Sequence, residues 1–167
     1  MAVIRVSHDI PCSQAQFWAL YADPDFQTTM LEDGLGYQRP QYSDVQDDGP
    51  VRTWTALVTP SLDLPPAVAK LLGGSMSYTE TARIDRAAST MTLRHVTRAL
   101  GNKLSLSGAI HTTESGEHAL VRHSVFRVEA KVFGIGRLLE RTVEDSVRQS
   151  LEATARFVSA HEHATEV

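Results

Sequence analysis

Two hydrophobic periods run along this chain. Residues 2–10 alternate, with Ile4, Val6, His8 and Ile10 on one side and Val3, Arg5 and Ser7 on the other, as a half-buried strand does. Residues 135–158 instead repeat at the helical period. Ile135, Leu138, Leu139, Val143, Val147, Leu151 and Val158 fall on one face, and Arg137, Glu140, Arg141, Glu144, Asp145, Arg148, Glu152 and Arg156 on the other. Glu144 precedes Arg148 by four, and Glu152 precedes Arg156 by four, the favourable order for exposed pairs. A helix of roughly 24 residues is about 36 Å long. Its apolar stripe therefore needs an equally long partner, which a strongly curved antiparallel sheet supplies.

Between these ends the punctuation is clear. Pro11 stops the first strand, and Ser13 can cap a short helix carrying Phe17, Trp18, Leu20 and Tyr21 that closes at Asp23-Pro24. A second helical piece over 24–31 ends near Gly34-Leu35-Gly36. Residues 37–45 suit only an edge strand, because Pro40 lacks a ladder donor. After the turn at Asp47-Asp48-Gly49-Pro50, residues 51–59 form a strand with Trp54, Ala56 and Val58 on one face. The break at 60–66 leads into a short helix carrying Ala67, Val68, Leu71 and Leu72, closed by Gly73-Gly74. Strands follow at 76–84, 90–97, 103–113 and 119–132, separated by turn-like pieces at 85–89, 99–102 and 114–117. Leu104, Leu106, Gly108 and Ile110 oppose Ser105, Ser107, Ala109 and His111; Phe126, Val128, Ala130 and Val132 oppose Arg127, Glu129 and Lys131. One face is thus buried and one wet, which predicts an α+β layer architecture. No internal repeat, linker or low-complexity segment interrupts it.

Composition narrows the class. A chain of 167 residues makes one domain with a core that needs no staple. A net charge of -4 with both signs interspersed predicts no nucleic-acid partner. Cys12 is the only cysteine, which excludes an intrachain disulfide and a thiolate metal cluster. No run reaches the length of a membrane span and no basic-then-apolar leader is legible, so no integral membrane association and a cytoplasmic location are expected.

The element order, together with Ala19-Leu20-Tyr21-Ala22-Asp23-Pro24-Asp25-Phe26, resembles the helix-grip fold of the START, birch-pollen-allergen and polyketide-cyclase superfamily (SRPBCC). That superfamily often ends its first helix with an aromatic, an aliphatic and then Asp-Pro. With Leu64-Pro65-Pro66 and Phe133-Gly134-Ile135-Gly136 before the long helix, the chain more narrowly resembles a bacterial branch of that superfamily known as a domain of unknown function. The likeness spans nearly the whole chain, as one START-like domain over 1–160 and a C-terminal tail over 161–167. It implies a curved sheet that grips the C-terminal helix, two short helices after the first strand, and a cavity between sheet and helix. The matching motifs are structural, so they speak to a fold rather than a reaction.

The residues expected to face that cavity are Trp54, Tyr78, Glu80, Met91, Leu93, His95, Leu106, Arg122, Ser124, Phe126, Val143 and Val147. Alternation places His95 with Met91 and Leu93, where it is either a core histidine bonded to the backbone, the commoner case, or a proton donor or polar contact to a ligand. Arg122 shares the face of Ser124 and Phe126, and a guanidinium there cannot stay unpaired. It bonds a buried carboxylate or awaits an acidic or carbonyl-bearing ligand. Glu80 is either such a partner or a surface residue. Trp54, Tyr21 and Trp18 are more often core or packing residues than ligand stackers. His111 and His123 fall on polar faces and are expected to be solvated. No His-Glu-x-x-His occurs, and His161-Glu162-His163 lies in the tail, so neither a metal nor another cofactor is expected. Nucleophile elbows and phosphate loops are absent, and Gly134-x-Gly136 lacks the context of a dinucleotide site.

Three functions fit these features. Binding or carriage of a hydrophobic small molecule or lipid in the cavity ranks first. A cyclase- or dehydratase-type enzyme acting on a polyketide-like substrate ranks second, with His95 as general acid or base and Arg122 polarising a carbonyl. An interaction protein working through its surface ranks third. The segment 60–74 could gate the cavity or be a fixed lid.

Overall fold

The protein was described from a computed structural model that covers the backbone of residues 1–165 and the side chains of residues 1–161. Its strands are β1 (Ala2–Ile10), β2 (Gln41–Asp47), β3 (Val51–Val58), β4 (Tyr78–Asp85), β5 (Thr90–Thr97), β6 (Gly101–Gly116) and β7 (Ala119–Ala130). They form one sheet in the order β1-β7-β6-β5-β4-β3-β2, and every neighbouring pair is antiparallel. The helices are α1 (Gln14–Tyr21), α2 (Pro24–Thr29), α3 (Pro66–Leu71) and α4 (Gly136–Thr165). This is the expected α+β arrangement, with two short helices after the first strand and a long helix last.

Local chemistry sets most of the boundaries. Ser13 and Gln16 close a reciprocal capping box on α1. Asp23 caps α2, and Pro24 occupies its first turn, where a missing N–H costs nothing. The helical run then ends at Gly34, near where it was expected to, but not as an ordinary α-helical end. Met30–Gly34 winds as a π-helical turn, and the Tyr37 N–H closes onto the Leu31 carbonyl. That bond removes Tyr37 from the expected strand over 37–45, so β2 begins only after Pro40. A bulge between Ser43 and Gln46, with Asp44 at φ 50, bends this edge strand.

The last helix starts and ends later than its periodicity implies, running past Val158 to Thr165. Leu139, Val143, Leu151 and Val158 are buried as expected, but Leu138 is 37% exposed, on the shoulder of the stripe. The tail over 161–167 falls partly outside the described residues, including the side chains of Glu162 and His163. Helix α4 packs on β1, β7 and the π-helical turn. Each fully buried Leu, Ile or Phe side chain in such a contact stabilises by about 1.5–3 kcal/mol. Among the described residues, no helix is long and apolar enough to cross a membrane.

One glycine shapes the inner face of the sheet. Gly108 pairs with Phe126 across β6 and β7, and a Cβ at position 108 would collide with the Phe126 ring. The absent side chain is what lets that ring lie over the strand. Gly108→Ala should therefore lower stability by about 1–3 kcal/mol through overpacking. Urea midpoints check this, and an unchanged midpoint would show that the ring is not held there.

Candidate functional site

Strands β4 to β6 and helix α4 do not meet across the middle of the molecule. They enclose a partly open hollow of about 170 Å³. Its apolar wall includes Met91, Leu93, Leu106, Phe126, Val143 and Val147. Tyr78, Glu80 and His95 also line it, so nine of the twelve residues read from the sequence stand together. Trp54, Arg122 and Ser124 do not line it. Met30, Leu31 and Leu62 also line it and were not among the residues read from the sequence: the first two close the expected second helix, and Leu62 lies in the 60–74 segment that was expected to gate or cover the cavity.

The polar feature of the hollow is a carboxylate–imidazole pair. Glu80 on β4 stands directly across from His95 on β5, and its Oε2 lies 2.7 Å from His95 Nε2. Glu80 Oε1 accepts from Trp54 Nε1 at 2.9 Å, and the Tyr78 ring stacks on the imidazole with centroids 4.1 Å apart. The two side chains are only 15% and 16% exposed, so Glu80 is not a surface residue. Burial pushes the Glu80 carboxyl up, but the bonds from His95 and Trp54 outweigh it and hold it below its ordinary value. Burial, and the nearby Glu80 charge after it, push the Tyr78 hydroxyl well up. An ionised carboxylate only accepts, which makes His95 Nε2 the donor. His95 Nδ1 has no partner among the described residues. In the neutral ring it is a free lone pair, able to accept from a ligand hydroxyl or to take a proton.

This pair corrects two expectations. His95 bonds a carboxylate rather than the backbone, and Glu80 pairs with His95 rather than with Arg122. The hairpin carried the signal. Asp85 and Thr90 face each other at the turn end of β4 and β5, and equal steps back from them land on Glu80 and His95.

Arg122 is fully buried on the far side of the wall. Its Nη1 donates to Tyr21 Oη at 2.9 Å and Thr154 Oγ1 at 3.0 Å, and its Nη2 to His8 Nδ1 at 3.2 Å and the Leu151 carbonyl at 2.5 Å. The expected carboxylate is not among these partners. Four neutral acceptors from α1, α4 and β1 satisfy the fork instead, while Nε has no partner among the described residues. Burial, then the Arg122 charge, hold the His8 imidazole below its usual value, so it accepts in the neutral form. Ser124 is also buried, and its Oγ has no partner among the described residues. Trp54 stands behind Glu80 as its hydrogen-bond donor, a positioning role rather than a wall.

The other histidines sit elsewhere. His111 is exposed, but His123 is bonded at both nitrogens, to Ser7 Oγ at 3.0 Å and Thr113 Oγ1 at 2.9 Å, and stacks on His111. It is therefore held rather than free in solvent. His161 lies edge-on against Phe26. Among the described residues no group of three or more His, Cys, Asp and Glu is placed to hold a metal ion.

A bent antiparallel sheet closed over a C-terminal helix, with a hollow between them, defines the helix-grip class. Residues 5–161 match the family described as "Protein of unknown function (DUF2505)", and the chain belongs to that family. No curated protein matches the chain. Solved structures with the same fold include the Thermus thermophilus protein TTHA0849, 13% identical with a TM-score of 0.68 over 96% of this chain and 99% of that one. The Zhui aromatase/cyclase of Streptomyces sp. R1128 is 11% identical, with a TM-score of 0.66 over 96% and 92%. Norcoclaurine synthase of Thalictrum flavum, solved in complex with dopamine and hydroxybenzaldehyde, is 17% identical, with a TM-score of 0.63 over 96% and 87%. These likenesses show the fold.

The Glu80–His95 pair makes a pH dependence. Because the folded value of Glu80 lies below its ordinary 4.5, the stability it adds is whole above that pH and is lost as pH falls through the lower folded value. Glu80→Gln should cost about 1–3 kcal/mol at pH 7 and flatten part of the acid limb in urea melts. A residual limb remains from Asp47, which Arg86 holds at about 2. An acid limb identical to that of the unaltered protein would show that the Glu80 carboxyl is not held ionised there.

Proposed function

We propose that this protein binds a small, largely apolar molecule of about one-ring size between its sheet and its last helix. The hollow carries this reading: about 170 Å³ of mostly apolar space with one buried polar pair. A cavity of about 150 Å³ takes benzene, whereas drug-sized ligands occupy roughly 300–1,000 Å³. The size thus favours a single ring over a two-chain lipid or a polycyclic polyketide. The one-ring compounds bound by the Thalictrum flavum enzyme are of that scale. Pro60 and Leu62 form part of the wall, and their segment ends in Gly73 and Gly74 at φ 65 and 86, so its displacement is the proposed route inward.

The second reading is proton-transfer catalysis, favoured by the open Nδ1 of His95 beside a bound guest. An enolisable one-ring ketone such as phenylacetone should then exchange its α-hydrogens for deuterium faster with the protein than with His95→Ala. Equal rates would leave binding alone.

Binding itself is tested by NMR titration with toluene and indole. Shifts confined to residues lining the hollow are expected, and Val147→Trp, which fills the space, should weaken binding by at least about tenfold while the helical CD signal stays. No saturable shifts, or shifts indifferent to Val147→Trp, would overturn the proposal.

A further inference from the structure

The hollow has a second polar pole. Arg122 is fully buried, and all four atoms that accept from it are neutral: the Tyr21 and Thr154 hydroxyls, His8 Nδ1 and the Leu151 carbonyl. Glu152, whose field reaches His8, is 65% exposed and pairs with Arg156 at the surface. A buried charge without a counter-charge is costly, and an anion brought alongside it offsets that cost. The hydroxyls around Arg122 differ in what they have left to give. Thr154 passes its hydrogen to the Leu151 carbonyl at 3.0 Å. Tyr21 accepts from Arg122, and its own phenolic hydrogen has no acceptor among the described residues.

Tyr21 and Thr154 both line the hollow. Its wall therefore includes a tyrosine whose O–H donor is unused and is polarised by the guanidinium it accepts from. This pole lies apart from Glu80. Arg122 pairs with Thr112 on β6 and His95 with Leu106, six positions apart, so the two poles attach to different stretches of that strand.

We infer that the ligand is a one-ring carboxylate, its ring among the apolar side chains and its carboxylate on the Tyr21 hydroxyl, with Arg122 supplying the balancing charge from behind. The inference rests on the ligand-binding reading above and gives that ligand its chemical class.

The test compares benzoate with toluene by NMR titration of the full chain. Benzoate should bind tighter by about tenfold, the worth of one charge-assisted hydrogen bond. In Tyr21→Phe, which keeps the ring, the ratio of benzoate to toluene affinity should fall to about one, a ratio that any general change in the hollow leaves untouched because both probes share it. If toluene binds the unaltered protein as tightly as benzoate does, the inference fails and the binding function stands; this arm needs no variant. If benzoate keeps its advantage in Tyr21→Phe, the carboxylate sits elsewhere and the inference fails. If neither probe binds, the binding function fails and takes the inference with it.

Discussion

A straight rod and a bent sheet touch along only part of their width. Helix α4 packs on β1, β7 and the π-helical turn, while the inner faces of β4 to β6 stand across a hollow from Val143, Val147 and Leu151. The Arg122 fork holds that geometry by joining α1, β1, β7 and α4 through Tyr21, His8, Leu151 and Thr154. Hydrogen bonds to a charged donor contribute about 1.5–3 kcal/mol each, so this node resists collapse of the helix into the gap. Gly108 works with it by letting Phe126 lie over β6 instead of standing into the hollow.

The elements were legible because their signals are local. Ser13, Asp23 and Pro24 write the short helices, the alternation in β6 and β7 writes strands, and the 3.6 period writes α4. The π-helical turn was not legible, since nothing in Met30–Gly34 differs from an ordinary helix end until Tyr37 turns back to close it. The site divides the same way. Nine of its residues follow from strand parity and the helical stripe, which fix the face of a side chain. Parity says nothing about partners. The four acceptors around Arg122 come from three elements distant in sequence, and neutral hydroxyl, imidazole and carbonyl groups replaced the carboxylate that charge alone suggests. Trp54 shows the complementary limit, because its burial was readable but its position behind Glu80 was not.

The fold is shared with proteins as differently named as an aromatase/cyclase and norcoclaurine synthase. A shared fold does not fix a reaction, which depends on the particular polar groups a chain places in its site. Here those groups form two poles, the Glu80–His95 pair under Tyr78 and the Tyr21 hydroxyl backed by Arg122. On the proposed reading, the apolar wall between them sets the size of a guest and the poles its orientation.

Emptiness between sheet and helix is the central physical claim, and xenon reports on it without assuming any natural ligand. Crystals held under xenon pressure should show one strong density peak among Phe126, Leu106 and Val147, as dry apolar cavities of this size do. A gap filled by side chains, with no xenon bound there, would contradict it.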